Sequence, residues 1–572
     1  MRSSLSLPRL AGAAPRRPFS GLGWSAIAWA LAFAVAFPVL VVASRLLAPA
    51  GEIWSHLAST VLAEYVWNSV ILALAVGSGV AVIGVATAWL VTMCRFPGRA
   101  VFEWALLLPL AVPTYIIAYT YTDLLQYAGP VQSLLREVTG WTGRDYDFPE
   151  IRSLGGAILV FSLVLYPYVY LLARAAFLEQ SACALDVART LGQSAWGCFF
   201  RVALPLARPA IAGGVALALM ETLADFGAVQ HFGVATFTTG IYRTWFALGE
   251  PVAAAQLAAA LMGLVFLVLT LERVSRGPAR FEHTTTRRPW QSHQLTGGRA
   301  TLATTACALP IVLGFGVPVL VLLEMTLTVG DARLGSVFLG LAANSLVLAT
   351  LAALLVALSA IIVAYGLRLH PSPPMRVAAR IAGLGYAIPG AVIAVGVLIP
   401  FARLDNWVDA WMRESFGIST GLLLTGSLGV LLFAYLVRFL AVALQSVEAG
   451  LGKINHNLDD AARALGQRPA QVLVRVHVPL MWGSVVTALI MVFVDVLKEL
   501  PATLILRPFD FETLAVRVYR FASDERLAEA SSAALAIVVV GLIPVILLSR
   551  AITRSRTYMR QPDPAISAAL TP

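Results

Sequence analysis

Long apolar runs alternate with short polar breaks along the whole chain. Runs of roughly 20 residues, the length that crosses a bilayer as a helix, lie near 24–46, 67–93, 104–122, 154–175, 209–229, 253–271, 301–326, 341–367, 378–400, 419–443, 481–505 and 527–549. Twelve spans are therefore expected. The first follows Arg9, Arg16 and Arg17, as the core of a signal peptide would. However, the apolar stretch from Gly21 to Ser44 is too long for that core, and no small-x-small cleavage site closes it. It is read as a retained helix.

Composition narrows the class further. Of 572 residues 59% are hydrophobic and 13% charged, with a mean hydropathy of +0.80, whereas charges make up about a quarter of a soluble chain. Basic residues cluster at the N-terminus (Arg2, Arg9, Arg16, Arg17), in the centre (Arg273, Arg276, Arg280, Arg287, Arg288, Arg299) and at the C-terminus (Arg550, Arg554, Arg556, Arg560). An even number of spans puts all three clusters on one side, and basic segments stay cytoplasmic. Both termini are thus expected in the cytoplasm. This topology, with some attraction to anionic membrane lipid, accounts for the net charge of +10 and the pI of about 9.7, so no nucleic-acid partner is implied. Cys94, Cys183, Cys198 and Cys307 form no C-x-x-C pair and the seven histidines no i, i+4 pair. Neither a disulfide framework nor a metal site is expected.

One polar phrase occurs twice. "ARTLGQSAWGCFFRVALPLARP" begins at Ala188 and "ARALGQRPAQVLVRVHVPLMWG" at Ala462; Gly192 and Gly466, like Pro205 and Pro479, are 274 positions apart. From Asp186 against Asp460 to Leu206 against Leu480, 10 of 21 positions are identical without a gap, where composition alone gives about two. Asn68 answers Asn344, Pro113 answers Pro389, Glu221 answers Asp495, and Tyr242-Arg243 answers Tyr519-Arg520. The chain therefore reads as two parallel six-span repeats, 1–280 and 301–572, joined by a charged cytoplasmic linker, 281–300. Each phrase falls in the cytoplasmic loop between the fourth and fifth spans of its half, at 180–208 and 445–482.

In that loop Asp186 or Asp460 sits near a helix start, where a carboxylate suits the dipole. Small residues and Arg189 or Arg463 follow. Gly192 or Gly466 breaks the helix or allows a close approach, and Pro205 or Pro479 ends the segment where the next span begins. Two short helices bent about a glycine, present twice at the membrane surface, suit docking onto two copies of one cytoplasmic partner.

The pattern acid-x-Ala-x-x-x-Gly followed by a distant proline, in "DVARTLG" and "DDAARALG", resembles the coupling loop of ABC-importer permeases. Asp186 and Asp460 stand where that motif usually has Glu, Val187 replaces its first Ala, and Val478 precedes the second proline. The resemblance covers nearly the whole chain, as a fused pair of permease domains. "ETLADFGAVQHFGVATFTTGIYRTWFALGEPVAAAQLA" and "KELPATLILRPFDFETLAVRVYRFASDERLAEA" are similar in particular to ferric-iron permeases; permeases for thiamine, polyamines or phosphonates share much of the pattern. The resemblance implies a bacterial inner-membrane protein working by ATP-driven alternating access. Its implied partners are two copies of a cytoplasmic ABC ATPase and a periplasmic or surface-tethered binding protein. Asp186, Ala188, Arg189, Leu191, Gly192 and Pro205, with Asp460, Ala462, Arg463, Leu465, Gly466 and Pro479, are the implied ATPase-coupling positions. No cofactor and no catalytic residue are implied. At Gly452-Lys453 a phosphate-binding loop fails, because Val447 and Ile454 occupy the positions of its first glycine and its Ser/Thr. ATP hydrolysis is expected in a separate subunit.

Glu221 and Asp225 are four apart, as are Asp495 and Glu499, so each pair is expected on one helix face. Charges in a span usually face a bundle interior or an aqueous cavity, and hard cations prefer carboxylate oxygens. These four acids are the candidate translocation pathway; the competing reading is local packing, with Lys498 as partner of Asp495 or Glu499. The tyrosines around Tyr115 and Tyr166 are read as packing or interface belts. A self-contained secondary transporter, coupling to ions through the same acids, is the alternative of a different class.

Overall fold

The computed structural model describes residues 19–49, 51–179, 187–188, 190–276, 293–329 and 336–560. The principal helices are α1 (Phe19–Ser44), α2 (Leu62–Met93), α3 (Thr114–Leu125), α4 (Leu154–Glu179), α5 (Leu204–Ala224) and α6 (Pro251–Arg276) in the first half. In the second half they are α7 (Gly298–Thr328), α8 (Ser336–Leu369), α9 (Gly390–Phe416), α10 (Leu428–Leu451), α11 (Trp482–Lys498) and α12 (Leu527–Arg560). Among the described residues ten helices are long and apolar enough to cross a membrane. Two further pairs, Arg99–Ala111 with Thr114–Thr139 and Pro469–Leu480 with Trp482–Lys498, bend by 90° and 81°, and make twelve if each is one span. The chain is an all-α, multi-pass membrane protein. Its one ladder among the described residues joins Cys94–Arg95 to His293–Gln294 in parallel, so the end of the linker is tied to the end of α2.

Each half is built round the same three helices. α2, α4 and α5 pack together in the first, and α8, α10 and α11 in the second. The outer helices are exchanged: α1 lies against α8 and α9, α6 against α9, α7 against α2 and α4, and α12 against α3 and the turn Leu108–Ala111. One apolar core accordingly joins Val35 and Leu261 to Val356, Val395 and Val492. The other joins Val80, Ile116 and Val164 to Cys307, Leu322 and Val538. The sequence halves are therefore not separate packing units. Two exchanged contacts depend on glycine: a Cβ on Gly396 would lie 2.5 Å from the Pro38 carbonyl oxygen, and one on Gly314 2.5 Å from that of Leu163. Such small residues let helix backbones meet where no hydrophobic effect drives them together.

Four expected spans differ from the observed helices, and each difference is a break within the expected apolar run. The spans expected at 104–122 and 378–400 are interrupted before Pro113 and Pro389. Val112 (ψ 121) and Ile388 (ψ 121) are extended, as a residue preceding proline prefers. The spans expected at 209–229 and 481–505 stop at Ala224 and Lys498, because Asp225 (ψ 138) and Glu499 (ψ 126) leave the helix.

Candidate functional site

Three of the breaks, at Val112, Asp225 and Glu499, meet in one cavity of about 120 Å³ between the halves, and Tyr386, two residues before the fourth, joins them in its lining. Its lining includes Val112, Pro113, Thr114 and Asp225 from one half and Tyr386, Arg438, Glu499 and Pro501 from the other. Irregular backbone is tolerated at membrane depth where it lines a cavity or is covered by protein.

All four sequence-predicted carboxylates line this cavity. The expectation that each pair shares a helix face is corrected, because Asp225 and Glu499 stand just past the ends of α5 and α11. There they cap the short helices that follow, since a carboxylate satisfies N–H groups left open at a helix start. Asp225 Oδ1 accepts from the N–H of Ala228 at 2.8 Å and of Val229 at 3.4 Å, and the Thr114 hydroxyl donates to its other oxygen. Glu499 accepts from the N–H of Ala502 at 2.8 Å and of Thr503 at 3.0 Å, and from the Thr503 hydroxyl. Glu221 accepts from the Tyr386 hydroxyl across the halves at 2.6 Å, and Asp495 pairs with Lys498 at 3.0 Å. Among the described residues no three histidine, cysteine or acidic side chains converge as a metal would require.

Sequence reading missed Arg438, Tyr386 and Thr114 in this lining, and read Tyr115 and Tyr168, members of the two tyrosine clusters, as packing or interface belts. Arg438 had a usable signal, a single arginine in the apolar run "LLFAYLVRFLAVAL".

A second cavity, of about 570 Å³, lies beside the start of α2 and is lined by Tyr65, Phe226, Tyr242, Arg243, Arg507 and Tyr519 among others. Phe226 stacks on Tyr242 with ring centroids 3.7 Å apart and meets Tyr519 at 5.7 Å. Asp225 and Gly227 face the first cavity and Phe226 the second, so the break after α5 forms the wall between them.

The repeated phrases fold alike. Gly192 and Gly466 have φ of +81° and +76°, and a Cβ on either would meet nothing within 4 Å. Backbone conformation, not close approach, requires glycine here. Gln193 N–H reaches the Ala188 carbonyl at 3.0 Å and Gln467 N–H that of Ala462 at 3.1 Å, the hydrogen bond of a helix ending in a left-handed glycine. Ala188 and Ala462 are buried, while Leu191 and Leu465 are 75% and 81% exposed, so each turn holds a leucine outward. Arg463 and Asp460 form an exposed pair at 3.7 Å. Asp186 and Arg189 lie outside the described residues. Pro205 and Pro479 were expected to end their segments, and each follows a π turn, Phe199–Ala203 or Leu473–His477; Pro205 instead lies inside one continuous helix, Trp196–Ala224, whereas past Pro479 the helix stops at Leu480 and turns by 81° into α11. The wider turn accommodates a residue with no N–H to donate.

The two turns are fastened differently. Asp459, 5% exposed, accepts from Arg368 Nη2 at 2.6 Å and Nε at 3.1 Å, and bonds His477 Nε2 at 2.7 Å. Arg368 also donates to the Leu451 and Ile454 carbonyls at 2.7 and 2.9 Å, and the Tyr365 hydroxyl to that of Pro469 at 2.8 Å. Burial pushes the Asp459 carboxyl up, but the hydrogen bonds and charges of Arg368 and His477 outweigh it and hold it below the usual range. The equivalent residues of the first half are Thr92, Leu185, Ala203 and Trp89. There Trp89 packs edge-on against Phe177 and Phe199 at 5.4 and 4.8 Å.

Comparison with known proteins matches this architecture. The chain is 27% identical over 494 residues to the Fe(3+)-transport system permease protein FbpB 2 of Haemophilus influenzae, covering 86% of this chain and 90% of that protein. It is 32% identical over 177 residues to the molybdenum transport system permease protein ModB of Escherichia coli, covering 30% and 74%. It is 30% identical over 148 residues to the sulfate transport system permease protein CysT of the same species, covering 26% and 50%. Residues 81–273 and 357–558 each match one family model, that of the binding-protein-dependent transport system inner membrane component. The chain belongs to that family, with its characteristic segment present twice.

Proposed function

We propose that this chain forms the membrane pathway of an ATP-driven ABC importer for ferric iron, with both permease domains, 1–280 and 301–572, in one polypeptide. The observation that carries the iron reading is the full-length similarity to an Fe(3+)-transport permease, over 86% of one chain and 90% of the other. The turns at Gly192 and Gly466 face the cytoplasm of a bacterial cell, and each engages one copy of an ATPase subunit through its exposed leucine. A binding protein outside the membrane delivers cargo to the opposite face. Cargo crosses by way of the cavity between the halves, where Glu221, Asp225, Asp495 and Glu499 set the local charge. Closure of the ATPase pair is transmitted through the two turns to the exchanged helices, and each nucleotide state acts only through its differential contacts there.

A second reading, an oxyanion cargo, is favoured by the similarity of half-chain segments to molybdenum and sulfate permeases. The test is uptake of radiolabelled ferric iron, molybdate, sulfate and thiamine by starved cells with and without this chain. Loss of iron uptake alone supports the first reading. Loss of molybdate or sulfate uptake supports the second, and loss of thiamine uptake alone overturns both.

A further inference from the structure

The hydrogen-bonding state of the cavity between the halves is lopsided. Each of its four carboxylates already has a partner: Asp225 and Glu499 take backbone N–H groups, Glu221 takes the Tyr386 hydroxyl, and Asp495 pairs with Lys498. The open groups are donors. Arg438, only 8% exposed, lines the cavity with Nε and Nη1 lacking any hydrogen-bond partner. Its nearest counter-charge, Glu499 Oε1, is 3.9 Å from Nη1, too far for a hydrogen bond. A buried guanidinium with open N–H groups is costly unless something occupies them.

The repeat explains how this corner arises. Pro113 and Pro389 are equivalent, so Thr114, first residue of α3, corresponds to Gly390, first residue of α9. In the first half the Thr114 side chain fills the corner and donates to Asp225. In the second half there is no side chain: a Cβ on Gly390 would lie 2.3 Å from Arg438 Nη1 and 3.0 Å from Glu499 Oε1. Gly390 thus makes room for a guanidinium beside the N-terminus of α9, the positive end of a 27-residue helix. Unpartnered guanidinium donors beside a helix N-terminus suit an oxyanion.

We infer that the species crossing this cavity presents anionic oxygen atoms to Arg438. Taking the iron reading of the preceding section as given, ferric iron crosses as an oxyanion-coordinated complex and not as a bare cation. The chemistry agrees, because uncomplexed ferric ion hydrolyses at neutral pH and travels only with oxygen ligands. The carboxylates then keep the net charge of the cavity negative toward the metal, while Arg438 holds the ligand end.

The test is uptake by iron-starved cells carrying the full chain and its partner subunits, offered radiolabelled ferric iron with radiolabelled phosphate as the sole multivalent oxyanion. Radiolabelled molybdate without iron is offered in a parallel arm. Wild type is expected to take up iron and the iron-dependent part of the phosphate label in a fixed ratio. At equal membrane abundance Arg438→Gln should lower both by about tenfold or more, the loss expected for a hydrogen bond to a charged group. Arg438→Lys should lie between, keeping the charge but not the fork. Molybdate uptake without iron uptake, lost in Arg438→Gln, keeps the inference and overturns the iron reading. Iron uptake unchanged in Arg438→Gln, or iron entering without the phosphate label, overturns the inference and leaves the iron reading standing. If Arg438→Gln fails to reach the membrane, Arg438→Lys decides, and wild-type rates for both labels overturn the inference. Uptake of neither iron nor molybdate by wild type overturns both.

Discussion

Replacing Asp459 with Asn tests how the second of the two repeated turns, at Gly466, is held. The carboxylate is 5% exposed and joins Arg368, through two hydrogen bonds, to His477. Removing one member of a buried ion pair costs about 3 to 5 kcal/mol. Asp460 and Arg463 on the same short helix are exposed, so the low end, about 3 kcal/mol, applies. That is about a hundredfold rise in the opening of the turn. Hydrogen–deuterium exchange of the purified full-length chain reads it directly: peptides spanning 455–480 should lose about two orders of magnitude of protection while those spanning 190–204 are unchanged. The first half supplies a control, because its equivalents are Thr92, Leu185 and Ala203. A triple variant, Arg368→Thr with Asp459→Leu and His477→Ala, removes the charges together and should recover most of the protection, since loss of a whole buried pair is far milder than loss of one partner. Because the folded Asp459 carboxyl titrates below its ordinary value, its stabilisation is fully present above the unfolded pKa of about 3.9 and is lost only as pH falls through the lower, folded value. Less than about threefold change in Asp459→Asn, or equal change in both turns, refutes the network as the fastening of this turn.

Gly192→Ala and Gly466→Ala each force an alanine to φ near +80°, which costs about 1 to 2 kcal/mol, and both should weaken ATPase retention in co-purification without lowering membrane abundance. Asp225→Asn and Glu499→Gln should lower uptake while the protein still assembles, because an amide keeps an acceptor oxygen for the helix cap but loses the charge; unchanged uptake removes the acids from the pathway. Gly390→Ala places a Cβ 2.3 Å from Arg438 Nη1 and should reduce uptake as Arg438→Gln does. Gly396→Ala drives a methyl group into the Pro38 carbonyl and should destabilise the α1–α9 contact by about 1 to 3 kcal/mol, read as a lower unfolding temperature in detergent.

Much of this architecture was legible because its causes are local. Apolar run length fixes the number of spans, and the gapless repeat about Gly192 and Gly466 marks two equivalent turns whose glycines the backbone requires. Hydropathy located the segments that line the cavity but not its shape. The proline breaks at Val112 and Ile388 leave hydropathy unchanged. Asp225 and Glu499 look like ordinary members of an i, i+4 pair until the helix is seen to stop one residue earlier. The exchange of α1 and α7 between halves is invisible to any pattern read along one helix, since it depends on which small residues, such as Gly396 and Gly314, meet a foreign backbone. The Arg368–Asp459–His477 network was missed for the same reason: its members are 91 and 18 residues apart and only the fold brings them together.

The most direct test of the central proposal is ferric uptake into proteoliposomes containing the full chain and loaded binding protein, with and without the ATPase subunit, ATP and an ionophore. An ATP-driven permease is expected to accumulate iron only when both the ATPase and ATP are present, and to be indifferent to collapse of the ion gradients. Uptake by the chain alone, abolished by the ionophore, would contradict that account and identify a secondary transporter instead.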